Sequence, residues 1–312
     1  MRNLFGITFL LITFLCSCNT TKKTVAQVQE QTYAANQNAL LWQVTGKELK
    51  EPSYVFGTIH MIGKDDFFLT DAMTKAFGES DRVVFEINME EMNDFSVLFT
   101  LMGKIRMSDG KSLSDLISEE DYKMVDKHFS EMGLPLQFLD RIKPLFLSTF
   151  ASGDVAPGDM ESGKLKSYEM EFMEMAQTAK KEMDGLETIE FQLSMFDSIP
   201  YKAQADMLVD AIKNSGEGND QFKQMVDLYK QQDLLGLQKM IEGDTEGVAE
   251  FEDILLAGRN RNWIPLMDGM MKTKKTFFAV GAGHLGGEQG VIALLRKEGY
   301  TVKAIDPVLK KP

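Results

Sequence analysis

The chain has 312 residues, 44% of them hydrophobic and 26% charged, an ordinary globular balance with enough length for a large core. Its formal charge of −13 argues against nucleic acid as a partner and against a basic face on anionic lipid.

The chain opens on Met1-Arg2, followed by an apolar run from Leu4 to Leu15. A run this short with a basic start reads as a secretory signal rather than a membrane span. Leu15-Cys16-Ser17-Cys18 resembles the bacterial lipoprotein cleavage box, so residues 1–17 are expected to be a signal peptide and Cys18 a lipidated first residue. An ordinary signal cut near Ser17, without lipid, is the alternative. On the lipoprotein reading the mature chain has no free cysteine, hence no disulfide, no cysteine zinc site and no thiol nucleophile. Asn19, where retained inner-membrane lipoproteins carry aspartate, favours a periplasm-facing outer-membrane location. Residues 18–36 are polar and aperiodic, a flexible tether to a domain over 37–312.

Residues 39–46 and 53–58 read as an antiparallel strand pair, the second ending in Gly57-Thr-Ile-His60. A helix over about 70–80 precedes the apolar run 82–88, a strand buried on both faces that delivers Glu86. From about 90 to 265 the chain reads almost wholly as helices. One is capped by Ser118 with Asp121 three residues on, and another places Leu165, Tyr168, Phe172, Ala176, Ala179 and Met183 along one face. A short strand ending at Glu187 is possible between helices. Residues 275–281, a glycine-rich turn with His284, a helix and residues 300–306 form a β-α-β unit. The predicted fold class is α/β with α+β character: a mixed central sheet built from both ends of the chain, with a large helical insertion over about 90–265.

Two of the three histidines, His60 and His284, thus follow strands in the same Gly-x-x-His turn. Strand ends are where open α/β sheets bind ligands. With Glu86 they form a plausible shell for a divalent metal with a position left for water, zinc or iron being possible. His128 sits near a helix C-terminus, where a cation meets the dipole favourably, and reads as structural. A competing pattern is Gly281-x-Gly283-x-x-Gly286 with Asp306 twenty residues on, the spacing of a dinucleotide fingerprint, although the chain leaves no room for the strands that normally follow.

GTIH, VVFEIN, GLET, RNRNW at 259–263 and VGAGHLGGEQGVIALLRKEGY together resemble the TraB/GumN family, which includes PrgY and the animal Tiki proteins, from about residue 38 to 307. The resemblance implies a fold like that of erythromycin esterase and ChaN, and a metal-dependent peptidase using manganese or cobalt. It implies His60 and His284 as metal ligands or acid/base groups and Glu86 as a ligand or as the base that activates water. Glu187 matches the GLE segment and is a further ligand candidate. Arg259 and Asn260 match an Arg-Asn pair expected to bind a substrate oxyanion or carboxylate. The expectation is an exported, lipid-anchored metal-dependent hydrolase acting on a peptide or protein. The alternative is a non-catalytic lipoprotein that holds a metal, haem or a signal peptide.

Overall fold

The computed structural model describes residues 38–89, 101–148, 162–213, 215–242 and 251–306. The signal segment, Cys18 and the tether to residue 36 lie outside the described residues.

Eight strands form: β1 (Leu41–Thr45), β2 (Ser53–Thr58), β3 (Ile62–Gly63), β4 (Arg82–Ile87), β5 (Leu165–Lys166), β6 (Glu182–Glu187), β7 (Thr276–Gly281) and β8 (Thr301–Ile305). Six of them make one mixed sheet in the order β6-β4-β7-β2-β1-β8, and β3 pairs with β5 in a separate ribbon. The four strands β6, β4, β7 and β2 run parallel, and β1 turns back antiparallel to β2, as the alternation at 39–58 predicts. Strands β2 and β7 are buried along nearly their whole length, which is why they read as unbroken apolar runs rather than alternating ones.

Around the sheet lie α1 (Asp71–Glu79), α2 (Glu119–Glu131), α3 (Pro144–Ser148), α4 (Tyr168–Ala179), α5 (Ile189–Asp197), α6 (Tyr201–Lys213), α7 (Ser215–Lys230), α8 (Leu234–Glu242), α9 (Gly258–Thr273) and α10 (Val291–Lys297). Their starts follow capping chemistry. Ser118 accepts from the backbone N–H of Asp121 at 3.1 Å at the head of α2, and Thr188 accepts from that of Phe191 at 3.2 Å at the head of α5. Helix α4 packs Phe172 against the sheet, its ring centroid 5.4 Å from that of Phe56 and 5.1 Å from that of Phe277. Helices α2, α3 and α6 enclose a second, smaller core around Phe129, Leu147 and Leu208.

Strands β7 and β8 run parallel in one sheet, as the β-α-β unit predicts, with β2 and β1 between them, and β8 pairs antiparallel with β1 at the far edge. The amphipathic stripe 165–183 is not one helix. Leu165 belongs to β5 and Met183 to β6, and Lys180 stops α4 with a left-handed backbone at φ 53°. The short strand expected to end at Glu187 forms as β6, which joins the main sheet by pairing in parallel with β4 and places Glu187 opposite Ile87.

Candidate functional site

Parallel pairing sets Gly57 beside Val280 and Thr58 beside Gly281, so both Gly-x-x-His turns leave the sheet at the same rim. Glu86 and Glu187 reach that rim from the ends of β4 and β6. A single cavity of about 1000 Å³ opens there, lined by His60, Glu86, Arg259 and His284 together with Gly281 and Gly283.

The inner part of this site is a closed network. Asn260 Nδ2 donates to the carbonyls of His284 (3.3 Å) and Gln289 (2.9 Å), which turns its Oδ1 toward His284 Nδ1 at 2.7 Å. Nδ1 therefore carries the ring proton and Nε2 the lone pair, and Nε2 accepts from Arg259 Nη1 at 3.1 Å. Burial pushes the His284 imidazole down to about 4, outweighing the pull of Glu86, so the ring is neutral at neutral pH.

Glu86 Oε1 accepts from the backbone N–H of Gly281 at 2.8 Å and lies 3.7 Å from His284 Nε2. Gly281 has to be glycine for this approach, since a Cβ there would stand 3.1 Å from that same oxygen. Burial alone would raise the Glu86 carboxyl. The neighbouring imidazoles, the Arg259 guanidinium and the Gly281 N–H overcome it and hold Glu86 well below the usual carboxylate range.

Arg259 stands at the start of α9, directly after a single π-helical turn over Asp253–Ala257. Its Nη2 donates to Glu86 Oε2 at 2.6 Å and to Glu187 Oε2 at 2.8 Å, its Nε to Glu187 at 3.1 Å, and its Nη1 to the Leu255 carbonyl as well as to His284. All five N–H groups thus have partners inside the protein. Trp263, one turn further along α9, donates from its indole to Glu187 Oε1 at 2.8 Å and lays its ring against His284.

Over 40–304 the chain matches the family model described as TraB/PrgY/gumN family. The chain belongs to that family. It is 22% identical to Metalloprotease TIKI1 of Danio rerio over 85% of this chain and 63% of the relative, and 20% identical to Metalloprotease TIKI2 of Danio rerio over 93% and 65%. It is also 21% identical to Metalloprotease TIKI1 of Homo sapiens, over 85% and 62%. The chain thus spans less than two thirds of the length of these relatives. No solved structure matches it significantly.

The TraB/PrgY/gumN chain brings His60, Glu86, Glu187, Arg259, Asn260 and His284 to the one rim, but not in equal settings. His284 is 5% exposed and His60 71%. His60 Nδ1 lies 3.1 Å from Glu169 Oε1, which also accepts from Thr58 Oγ1 at 2.7 Å, while Ser167 Oγ donates to Glu169 Oε2 at 2.9 Å. This hydrogen bond to Glu169 raises His60 above the ordinary imidazole value, and solvent around the ring tempers the effect. Arg259 and Asn260 have every guanidinium N–H and both amide protons engaged within the protein in this arrangement, where they position His284, Glu86 and Glu187.

Glu169, Trp263 and Gln192, whose amide reaches Glu187 at 3.2 Å, carry no mark in the sequence beyond Trp263's place in RNRNW. His128 stays apart on α2 in the second core. The glycine-rich turn after β7 is filled from α8: a Cβ at Gly286 would lie 3.3 Å from the Leu234 carbonyl, and one at Gly287, whose φ is +77°, 2.5 Å from the Gln238 amide. Helix α8 occupies the space a pyrophosphate would need, which removes the dinucleotide reading.

The donor chemistry at the rim suits a divalent cation. A neutral imidazole presents its Nε2 lone pair, an ionised carboxylate lies beside it, and a second imidazole lines the same cavity. Two carboxyl groups, Glu86 and Glu187, face a single guanidinium, and a third, Glu169, meets His60. In the present arrangement Arg259 holds the Nε2 lone pair, and among the described residues no three histidine, cysteine or carboxylate side chains stand close enough to bind one ion together. An ion there requires the guanidinium to withdraw from Nε2.

Proposed function

We propose that this chain is an exported metal-dependent hydrolase that cleaves peptide bonds, held to a membrane through lipid on Cys18 with residues 1–17 as its signal peptide and 18–36 as a tether. The observation that carries the catalytic reading is the neutral Nε2 of His284 fixed beside an ionised Glu86, in the cavity that also holds His60. The family membership and the relatives' names, metalloproteases, support the same reading.

His284, Glu86 and His60 would hold the ion, manganese or cobalt on the family resemblance. The chemistry such an ion supplies is Lewis acidity, which brings the pKa of a coordinated water toward neutrality. The protein's own residues do the rest. Asn260 holds the His284 proton on Nδ1, so that Nε2 faces the cavity as a base. Glu169 does the same at Nδ1 of His60, whose Nε2 gives up its proton when it binds. Glu86 stays ionised under the Gly281 N–H, so that its carboxylate is available as the third ligand. Arg259 and Trp263 hold Glu187 in place behind it. No helix of the described residues is long and apolar enough to cross a membrane.

Metal content by mass spectrometry on untagged protein tests the site. Near-stoichiometric metal in the wild type, lost in both His60→Ala and His284→Ala together with peptide hydrolysis, is the expected result. Metal and hydrolysis that survive both substitutions would overturn the assignment.

A further inference from the structure

The polar rim occupies only the floor of the cavity. Its walls come from α7, through Phe222, Met225 and Leu228, and from α8, through Leu237, Met240 and Ile241. Five of these six side chains are only partly buried: Phe222, Met225 and Leu228 rest on the main core, and all five keep some apolar surface exposed along the cavity. Among the described lining residues Lys239 alone is charged on the walls. The far wall is anchored to the floor: Tyr229 of α7 donates from its hydroxyl to the Gly57 carbonyl at 2.9 Å, and Gln232 accepts from the Leu40 N–H at 2.9 Å. The apolar walls are therefore held at a fixed height above His60, Glu86 and His284.

We infer that this cavity binds a peptide segment through bulky apolar side chains, leucine, methionine, phenylalanine or isoleucine, and so lays the adjoining backbone on the polar floor. The inference deepens the hydrolase reading by naming the substrate class. Four observations carry it. The walls are mainly apolar surface, interrupted by Gln224 and Lys239, and such surface recovers free energy only when something apolar covers it. A volume of about 1000 Å³ takes more than one large side chain. Met225 and Met240 give the walls adaptable shape, so the preference is for size and apolarity rather than for one residue. His60, Glu86 and His284 share the floor of the same cavity, so a backbone held by side chains on the walls lies over them.

Full-length protein, freed of metal with EDTA so that peptides stay intact, is titrated against fluorescent decapeptides that differ only in a central Leu-Phe or Ser-Ser pair. The apolar peptide is expected to bind at least tenfold more tightly. Met225→Glu and, separately, the milder Met240→Gln are expected to shrink that ratio by threefold or more while the melting temperature stays within a few degrees. Equal binding of the two peptides, or a ratio that both variants leave unchanged, overturns the inference. The same pair incubated with metal-loaded protein separates the two readings. Apolar-selective binding without cleavage leaves the inference standing and defeats the hydrolase, whereas cleavage of both peptides at equal rates defeats the inference and leaves the hydrolase.

Discussion

Asn260 Oδ1 and His284 Nδ1 lie 2.7 Å apart, and because both protons of the Asn260 amide are directed at backbone carbonyls, the proton between the two residues belongs to the histidine. One asparagine next to an arginine in the chain thus decides which nitrogen of a histidine 24 residues away faces the cavity. Replacing Asn260 with alanine frees the tautomer and leaves Nδ1 buried without its acceptor. Metal affinity is expected to fall by about 10- to 100-fold, with a stability loss of about 1–3 kcal/mol. Asn260→Asp, which keeps an acceptor at that position, is expected to recover much of the affinity. Isothermal titration of both variants with manganese checks this, and equal affinities would refute it.

Gly281→Ala isolates the placement of Glu86 from the fold. The backbone at Gly281 has φ −53°, which alanine adopts freely, so the substitution brings no backbone strain. The new methyl meets the Glu86 carboxylate at 3.1 Å and displaces it. Metal content and hydrolysis are expected to drop at least tenfold while the urea midpoint stays close to that of the wild type.

Arg259 is the counter-charge of two carboxylates that are both almost wholly out of solvent. Arg259→Met leaves them uncompensated and is expected to destabilise the protein by about 3–5 kcal/mol. Arg259→Lys recovers only part, because three ammonium donors cannot serve the acceptors that five guanidinium donors now serve. The double variant Arg259→Met/Glu187→Gln is expected to be more stable than Arg259→Met alone. Urea unfolding of the three variants orders them, and a double variant no better than the single one would contradict the pairing.

Stability of the metal-free protein is expected to fall as the pH drops from about 6.5 toward 4. The folded imidazole of His284 titrates at about 4, below its ordinary 6.5, so in this window the unfolded chain binds a proton that the folded chain does not. Stability is full above the unfolded value and declines as pH falls, by roughly 3 kcal/mol over the window. The depressed carboxyl of Glu86 adds its own loss only below about 4.5, and the raised imidazole of His60 acts above 6.5, in the opposite sense. A His284→Gln variant is expected to lack the loss between pH 6.5 and 4.5, measured by urea unfolding at fixed pH in EDTA.

The strand ends that build the rim are legible in the chain because each is written as an apolar run broken by a functional residue: Phe56 before Gly57, Phe85 before Glu86, Val280 before Gly281. Glu187 is visible through its Gly-Leu-Glu segment for the same reason. Glu169 is not, since Glu169, Glu171 and Glu174 repeat along α4 and nothing local separates the one that meets His60 from Glu171, which pairs with Lys166, or from the exposed Glu174. The partners of Arg259 are not legible either, because its residue type states only that five donors exist, while the acceptors come from β4, β6, the turn after β7 and the π-helical turn. The place of β8 depends on pairing with a strand some 260 residues earlier, and local pattern holds no record of it.

That pairing sets Leu41 directly opposite Ile305, so the polypeptide enters and leaves its sheet at neighbouring points. The topology is close to a ring with one gap. A few residues joining Asp306 to Asn38 would turn β8 and β1 into an ordinary hairpin, and new termini cut into the exposed turn at Lys47 and Glu48 would leave β2, β7, β4 and β6 in register. Circular permutation at that turn should therefore spare the rim on which both histidines stand.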